Sequence, residues 1–153
     1  MPDNTKRFSD RVEDYIKYRP NYPPGLVPAL EKAMKLNGTE IIADIGSGTG
    51  LSPLPFLTSG YKVLGIEPNK EMREAAEKQL QFFTNFISIN GEAEKTNLPA
   101  NSVDVILCGQ AFHWFDRRKS KIEFARILAK QGNIVLVWNE RNIKNNFQKD
   151  FFK

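Results

Sequence analysis

The residues whose types and spacing could do chemistry centre on Asp44-Ile45-Gly46-Ser47-Gly48-Thr49-Gly50. The apolar stretch before them leads into three glycines at alternate positions. This reads as a buried strand turning into a helix at the carboxyl edge of a parallel sheet, the edge at which such sheets bind ligands. Glycines there allow positive φ and let the backbone approach a ligand without a Cβ clash. An ordinary strand–helix turn does not call for three glycines behind an acidic strand end. Twenty-one residues past Gly46, the next apolar run ends in Glu67. At that distance an acid can accept both ribose hydroxyls of an adenosine cofactor; alone it would read as a solvated strand end.

Two cofactor classes fit such a pair. A nicotinamide dinucleotide fingerprint is Gly-x-Gly-x-x-Gly, with a helix N-terminus cradling the pyrophosphate. Here the glycines stand at 46, 48 and 50, and position 51 is Leu. A sulfonium nucleoside has no phosphate to cradle, but its amino-acid tail must pass close to the loop. The spacing therefore favours S-adenosylmethionine and leaves an NAD-linked oxidoreductase as the weaker alternative.

The elements needed to position these groups are read from periodicity. Short apolar runs at Glu40–Ile45, Lys62–Ile66, Phe86–Ile89, Val103–Cys108 and Asn133–Trp138 show little alternation, as in strands covered on both faces. Helical segments alternate with them, which predicts an α/β doubly wound parallel sheet. Met72, Ala76, Leu80 and Phe83 form one stripe of a helix over Asn69–Phe83 with Asn69 as its N-cap. A second helix is predicted from Asp116 to about Lys130, with Ile122, Ala125, Leu128 and Ala129 facing inward and Gly132 ending it. Ahead of the sheet, Leu26, Leu30, Ala33 and Met34 mark another. After Gly50, Pro53 and Pro55 predict a short or distorted helix, with Pro55 removing a helical hydrogen bond.

The 153 residues, 41% hydrophobic and 26% charged, describe one ordinary globular domain. No apolar run approaches the roughly 18 residues that a membrane span needs, and the polar N-terminus does not read as a signal peptide. The expected address is cytoplasmic. Cys108 is the single cysteine, inside an apolar run, and reads as an inert buried thiol; no Cys/His spacing suggests a metal. The net charge of +4 is spread along the chain. Its tightest group, Arg117-Arg118-Lys119-Lys121, opens a helix and reads as a solvated face, so no nucleic-acid partner is expected.

Four stretches together resemble the methyltransferase type 11 superfamily, and within it the branch of trans-aconitate methyltransferase-like proteins. They are Phe8 to Pro23, with Tyr15, Arg19 and Tyr22; Asp44 to Gly50; Gly91-Glu92-Ala93-Glu94 with Leu98-Pro99 and Ser102-Val103-Asp104; and Gly109 to Asp116. The resemblance implies a class I, Rossmann-like methyltransferase with strand order 3-2-1-4-5 and S-adenosylmethionine as cofactor, leaving as S-adenosylhomocysteine, without a metal. It implies that Asp44 and Gly46, Ser47, Gly48, Thr49 and Gly50 line the methionine and ribose portions, and that Glu67 holds the ribose. Pro68 and Met72 would pack one adenine face, Glu92 and Ala93 would read the adenine edge, and Gln110 would lie beside the methionine tail. Tyr15, Arg19 and Tyr22 would belong to an N-terminal lid, residues 1–23, that closes over the cofactor, with Tyr15 and Arg19 binding it and Tyr22, His113 and Trp114 towards the acceptor. The cofactor domain then spans residues 24–138, and residues 139–153 form a tail.

His113, the single histidine, lies just beyond the fourth strand. Methyl transfer is an in-line displacement at carbon, so alignment dominates. An acceptor that starts protonated would also want a base near pH 7, whereas a carboxylate would not. General base, substrate positioning and plain packing all stay open for His113. The acceptor is expected to be a small molecule, with a carboxylic acid among the candidates. Proteins of this branch continue past the fifth strand, so the chain reads as a fragment or a truncated product. The alternative function is a catalytically incomplete cofactor-binding module acting with a partner chain. The apolar fifth strand, lacking an edge-blunting proline or lysine, could be covered by the tail, by a longer parent chain, or by a second copy in a homodimer.

Overall fold

A computed structural model describes residues 22–138. The expected lid residues Tyr15 and Arg19, and the tail 139–153, lie outside the described residues. The element order is α1 (Leu26–Met34), β1 (Ile41–Ile45), α2 (Leu54–Thr58), β2 (Lys62–Ile66), α3 (Lys70–Gln79), β3 (Phe86–Ile89), β4 (Val103–Gly109), a 3₁₀ turn (Phe112–Trp114), α4 (Arg117–Ile127) and β5 (Leu128–Val137). All five strands are parallel and lie in the order β3-β2-β1-β4-β5. This is the Rossmann-like order that the family resemblance implies. Among the described residues, no helix is long and apolar enough to cross a membrane.

The two faces of the sheet explain the unalternating apolar runs. On one face Ala43, Ile45, Ile66, Val103 and Ile106 pack with Phe124 and Ile127 of α4. On the other, Ile42, Val63, Val105 and Leu107 pack with Val27 of α1 and with Phe56 and Leu57 of α2. Neighbouring residues of β1 and β4 thus enter opposite cores, so these strands are apolar at nearly every position, Asp44 and Asp104 being the exceptions.

Several expectations need correction. In α1, Val27 is buried whereas Ala33 is exposed. β1 starts at Ile41, after Glu40, whose carboxylate folds back onto the N–H groups of Asn37 and Gly38 at 2.8 and 3.1 Å. Asn69 does cap α3, accepting from the Met72 N–H at 2.9 Å, but that helix ends at Gln79 and Phe83 lies beyond it. The segment after Gly50 is short, as expected, for a different reason. α2 starts late enough to put Pro53 at the N-cap and Pro55 in the first turn, where N–H groups have no helical partner to lose.

The largest correction concerns α4. It ends at Ile127, and Leu128 and Ala129 belong to β5. No glycine ends it: the N–H groups of Asn101 and Ser102 donate to the carbonyls of Arg126 and Ile127 at 2.9 and 2.8 Å. Its inward stripe is Ser120, Glu123, Phe124 and Ile127, while Ile122, 67% exposed, and Ala125 face solvent. β5 enters pairing with Val103 opposite Leu128, then slips so that Val105 faces Asn133. Trp138 lies just past its end.

Candidate cofactor and acceptor site

β1, β2 and β4 all end at the carboxyl edge of the sheet, and the loops leaving these strands converge there. After β1, the N–H groups of Gly46 and Ser47 both donate to the Ile66 carbonyl, at 2.8 and 3.1 Å. The Gly50 N–H donates to the Ser47 carbonyl, and the Gln79 amide of α3 donates to the Thr49 carbonyl, both at 3.1 Å. Gly46 (φ +75°) and Gly50 (φ +97°) sit in the left-handed region. A Cβ on Gly46 would stand 2.8 Å from that of Ala111, and one on Gly50 2.8 Å from Leu80 Cδ1. The loop is therefore wound against the segment after β4 on one side and against α3 on the other.

Glu67 joins this loop to the next one. It is 7% exposed; its Oε1 accepts from the Gly48 N–H and its Oε2 from the Asn69 N–H, each at 2.9 Å. Burial pushes its carboxyl above the usual carboxylate range, and the Asn69 and Gly48 donors with the Arg73 charge pull it back only in part. A carboxylate has about four lone-pair sites, so two such bonds leave capacity for two more. Pro68 and buried Met72 come directly after it, at the head of α3.

Asp44, fully buried at the end of β1, accepts from Ser52 Oγ at 2.5 Å through Oδ2. The Asp44 charge adds to burial in pushing the neighbouring Cys108 thiol up, which keeps that thiol protonated and inert. A small open pocket lies beside these groups, lined by Tyr22, Gly46, Ser47, Thr49, Ser52 and Gly109 among others. Tyr22 lies over the end of β4: a Cβ on Gly109 would meet its hydroxyl at 2.6 Å, and Gln110 Nε2 donates to that hydroxyl at 3.5 Å. Gln110 itself takes φ +56°.

Beyond β3, Glu92 and Lys95 close a tight turn through two reciprocal backbone bonds of 3.1 and 3.0 Å. Ala93 is buried in the core and the Glu92 side chain is exposed. This turn reaches the site edge because the Glu67 N–H donates to the Ile89 carbonyl at 3.1 Å. His113 and Trp114 sit on the 3₁₀ turn after β4, His113 exposed, with ring centroids 4.7 Å apart. Phe112 and Phe115 anchor the turn edge-to-face, and Phe115 packs likewise on Phe124 of α4.

The structure thus gathers Asp44, the glycine loop, Glu67, Gln110 and Tyr22 around one edge, with Pro68, Met72, Glu92 and Ala93 on the β2–β3 side and His113 and Trp114 on the β4 side. Sequence reasoning missed Ser52, Glu94 and Glu123. Glu94 Oε1 accepts from the Asp116 N–H at 2.7 Å. Glu123 Oε1 accepts from Thr96 N and Oγ1, at 2.9 and 2.7 Å, and its carboxylate is gripped by Arg126. That grip holds its pKa down to about 2. Glu94 lies within the Gly91–Glu94 stretch, but nothing in that stretch marks its bond to Asp116, and no sequence motif marks Ser52 or Glu123.

The methyltransferase domain family model matches residues 43–136. An uncharacterized methyltransferase of Schizosaccharomyces pombe is 31% identical over 138 residues, 90% of this chain and 54% of the relative. One of Mycobacterium tuberculosis is 33% identical over 140 residues, 92% of this chain and 55% of its own length. The chain spans about half the length of these relatives. Among solved structures, the YcgJ protein of Bacillus subtilis shares 29% identity and a TM-score of 0.67 over 82% of this chain and 55% of its own. A SAM-dependent methyltransferase of Aquifex aeolicus, at 22% identity and a TM-score of 0.64 over 82% of this chain and 78% of its own, shares the fold. Nothing in these likenesses favours a nicotinamide-linked oxidoreductase. The chain belongs to the methyltransferase domain family.

Proposed function

We propose that the chain forms the S-adenosylmethionine-binding part of a methyltransferase acting on a small molecule. One observation carries the choice of cofactor: four of the five backbone donors from Gly46 to Gly50 are already committed inside the protein. Gly46 and Ser47 donate to Ile66, Gly48 to Glu67 and Gly50 to Ser47. The next helix is only five residues long, with Pro53 and Pro55, which carry no N–H, at its start. A pyrophosphate needs free N–H groups at a helix N-terminus, and this loop is not built to offer them. A carboxylate with two lone-pair sites left, beside a glycine-walled pocket, suits a ribose diol and an uncharged thioether or sulfonium chain.

When bound, S-adenosylmethionine supplies an activated methyl group. The chain's own part is to bind and orient. Glu67 would accept the ribose hydroxyls, Met72 and Pro68 would cover one adenine face, and Glu92 with the Ala93 N–H would read its edge. Gln110 and Tyr22 would border the amino-acid tail. His113 and Trp114, on an anchored turn, would face the acceptor, with His113 positioning it or taking a proton where the acceptor starts protonated. Assignment of the acceptor to carboxylic acids, and of the chain to the trans-aconitate branch, rests on the sequence motifs alone.

Titration calorimetry with S-adenosylhomocysteine and with NAD tests the reading. Binding of the nucleoside at micromolar affinity without binding of NAD is expected; the reverse order would overturn it.

A further inference from the structure

The turn after β3 and the turn after β4 bear different parts of the site, yet a single side chain joins them. Glu94 projects from the closed Glu92–Lys95 turn, two residues beyond Glu92, and its Oε1 accepts the backbone N–H of Asp116 at 2.7 Å. Asp116 ends the segment that carries His113 and Trp114, and its own Oδ1 caps α4 by accepting from the Lys119 N–H at 3.0 Å.

Both partners of this bond are stiffly held. On the Glu94 side, Thr96 is fully buried and bonded twice to Glu123, and Arg126 Nη2 donates to the Leu98 carbonyl at 2.7 Å. A Cβ on Gly91 would lie 2.5 Å from the Thr96 carbonyl oxygen, so the start of the turn is packed against its end. On the Asp116 side, Ala111 and Phe115 pack on Gly46 of the glycine loop. The His113–Trp114 turn is thus wedged between the glycine loop, which it touches through Ala111 and Phe115, and the Glu92–Lys95 turn, which holds it through Glu94.

We infer that Glu94 is a positioning residue: it ties the turn bearing His113 and Trp114 to the turn bearing Glu92 and Ala93, so that filling the adenosine end of the site orders the acceptor end. The inference rests on the proposed cofactor reading. It gives Glu94 a role distinct from helix capping. A capping carboxylate would change only stability, whereas a positioning one transmits occupancy.

The test uses Trp114 fluorescence in a W138F background, where Trp114 is the sole tryptophan, together with calorimetry on the same proteins. S-adenosylhomocysteine is expected to change Trp114 emission in the parent. E94Q, whose amide oxygen can still accept from Asp116, should keep that change. E94A should lose it while binding the nucleoside within about threefold of the parent, a difference of roughly 0.7 kcal/mol. A full Trp114 response in E94A overturns the inference and leaves the cofactor reading intact. Absence of binding heat in the unsubstituted chain overturns both. Should E94A fail to fold, amide exchange of the unsubstituted chain decides: the Asp116 N–H should gain protection on binding, and unchanged exchange overturns the inference.

Discussion

Replacing Glu67 by alanine removes a carboxylate that holds two buried backbone donors in the free protein and, on the proposed reading, two ribose hydroxyls in the complex. In the free protein the Gly48 and Asn69 N–H groups lose their acceptors. Leaving a buried donor unpaired costs about 1–3 kcal/mol each. Against this, the substitution relieves the cost of keeping a desolvated carboxylate, the same cost that pushes its pKa up. A net loss of about 2 kcal/mol is expected, lowering the melting temperature by about 4–8 °C. In the complex, each lost charge-assisted bond is worth about 1.5–3 kcal/mol. One at the lower figure already gives about tenfold weaker binding, and two give about a hundredfold or more. Calorimetry with S-adenosylhomocysteine, run well below the lowered melting temperature, measures the second effect, and thermal melts of the free protein measure the first. Binding within threefold of the parent would refute the ribose role. Weaker binding with an unchanged melting temperature would refute the claim that Glu67 also secures the glycine loop.

His113→Gln should leave S-adenosylhomocysteine affinity within about threefold, because the ring is exposed on an anchored turn and does not line the glycine-loop pocket; calorimetry showing a larger loss in a folded protein would place the side chain in the cofactor site. Gly46→Ala forces a Cβ to within 2.8 Å of Ala111 at φ +75°, and should cost at least about 2 kcal/mol in denaturant melts, given roughly 1–2 kcal/mol for the left-handed backbone alone. The Glu123 carboxyl has a folded pKa held down to about 2, below the ordinary 4.5, chiefly by hydrogen bonds from Arg126. Its contribution is therefore present above about pH 4.5 and is lost as pH falls towards 2; Glu123→Ala should remove about 2 kcal/mol at neutral pH and flatten that part of the acid-denaturation curve.

What the sequence reveals, and what it hides, divides by range. β2 and β3 stand where the apolar runs place them, and Asn69 caps α3, because both signals are local. The inward face of α4 is hidden because its stripe includes Ser120 and Glu123, and a polar residue looks outward until its partner is known. That partner, Thr96, is 27 residues away. The early start of β5 is hidden because pairing of Leu128 with Val103 overrides a local pattern that fits a helix. At the site, the glycines and Glu67 are legible from spacing, since the loop and the strand end it must meet have fixed lengths. Ser52 on Asp44 and Glu94 on Asp116 join residues that share no motif, so only the folded chain brings them together.

The slip between β4 and β5 gives the fold a reserve of chain length. From Val103 to Val105 the partner strand runs from Leu128 to Asn133, so two steps face five and three residues are surplus. Lys130 and Gln131 at this slack point are exposed, and Gln131 takes φ +69°. Pairing from Asn133 to Val137 is set by β4 and not by the distance from α4, so a splice here need not shift it. A short glycine–serine insert between Lys130 and Gln131 should leave amide protection over 133–137 as in the parent; a register shift there would show that the slack is already taken up. The point where helix passes into strand without a formal loop is thus the place to graft a reporter onto this sheet.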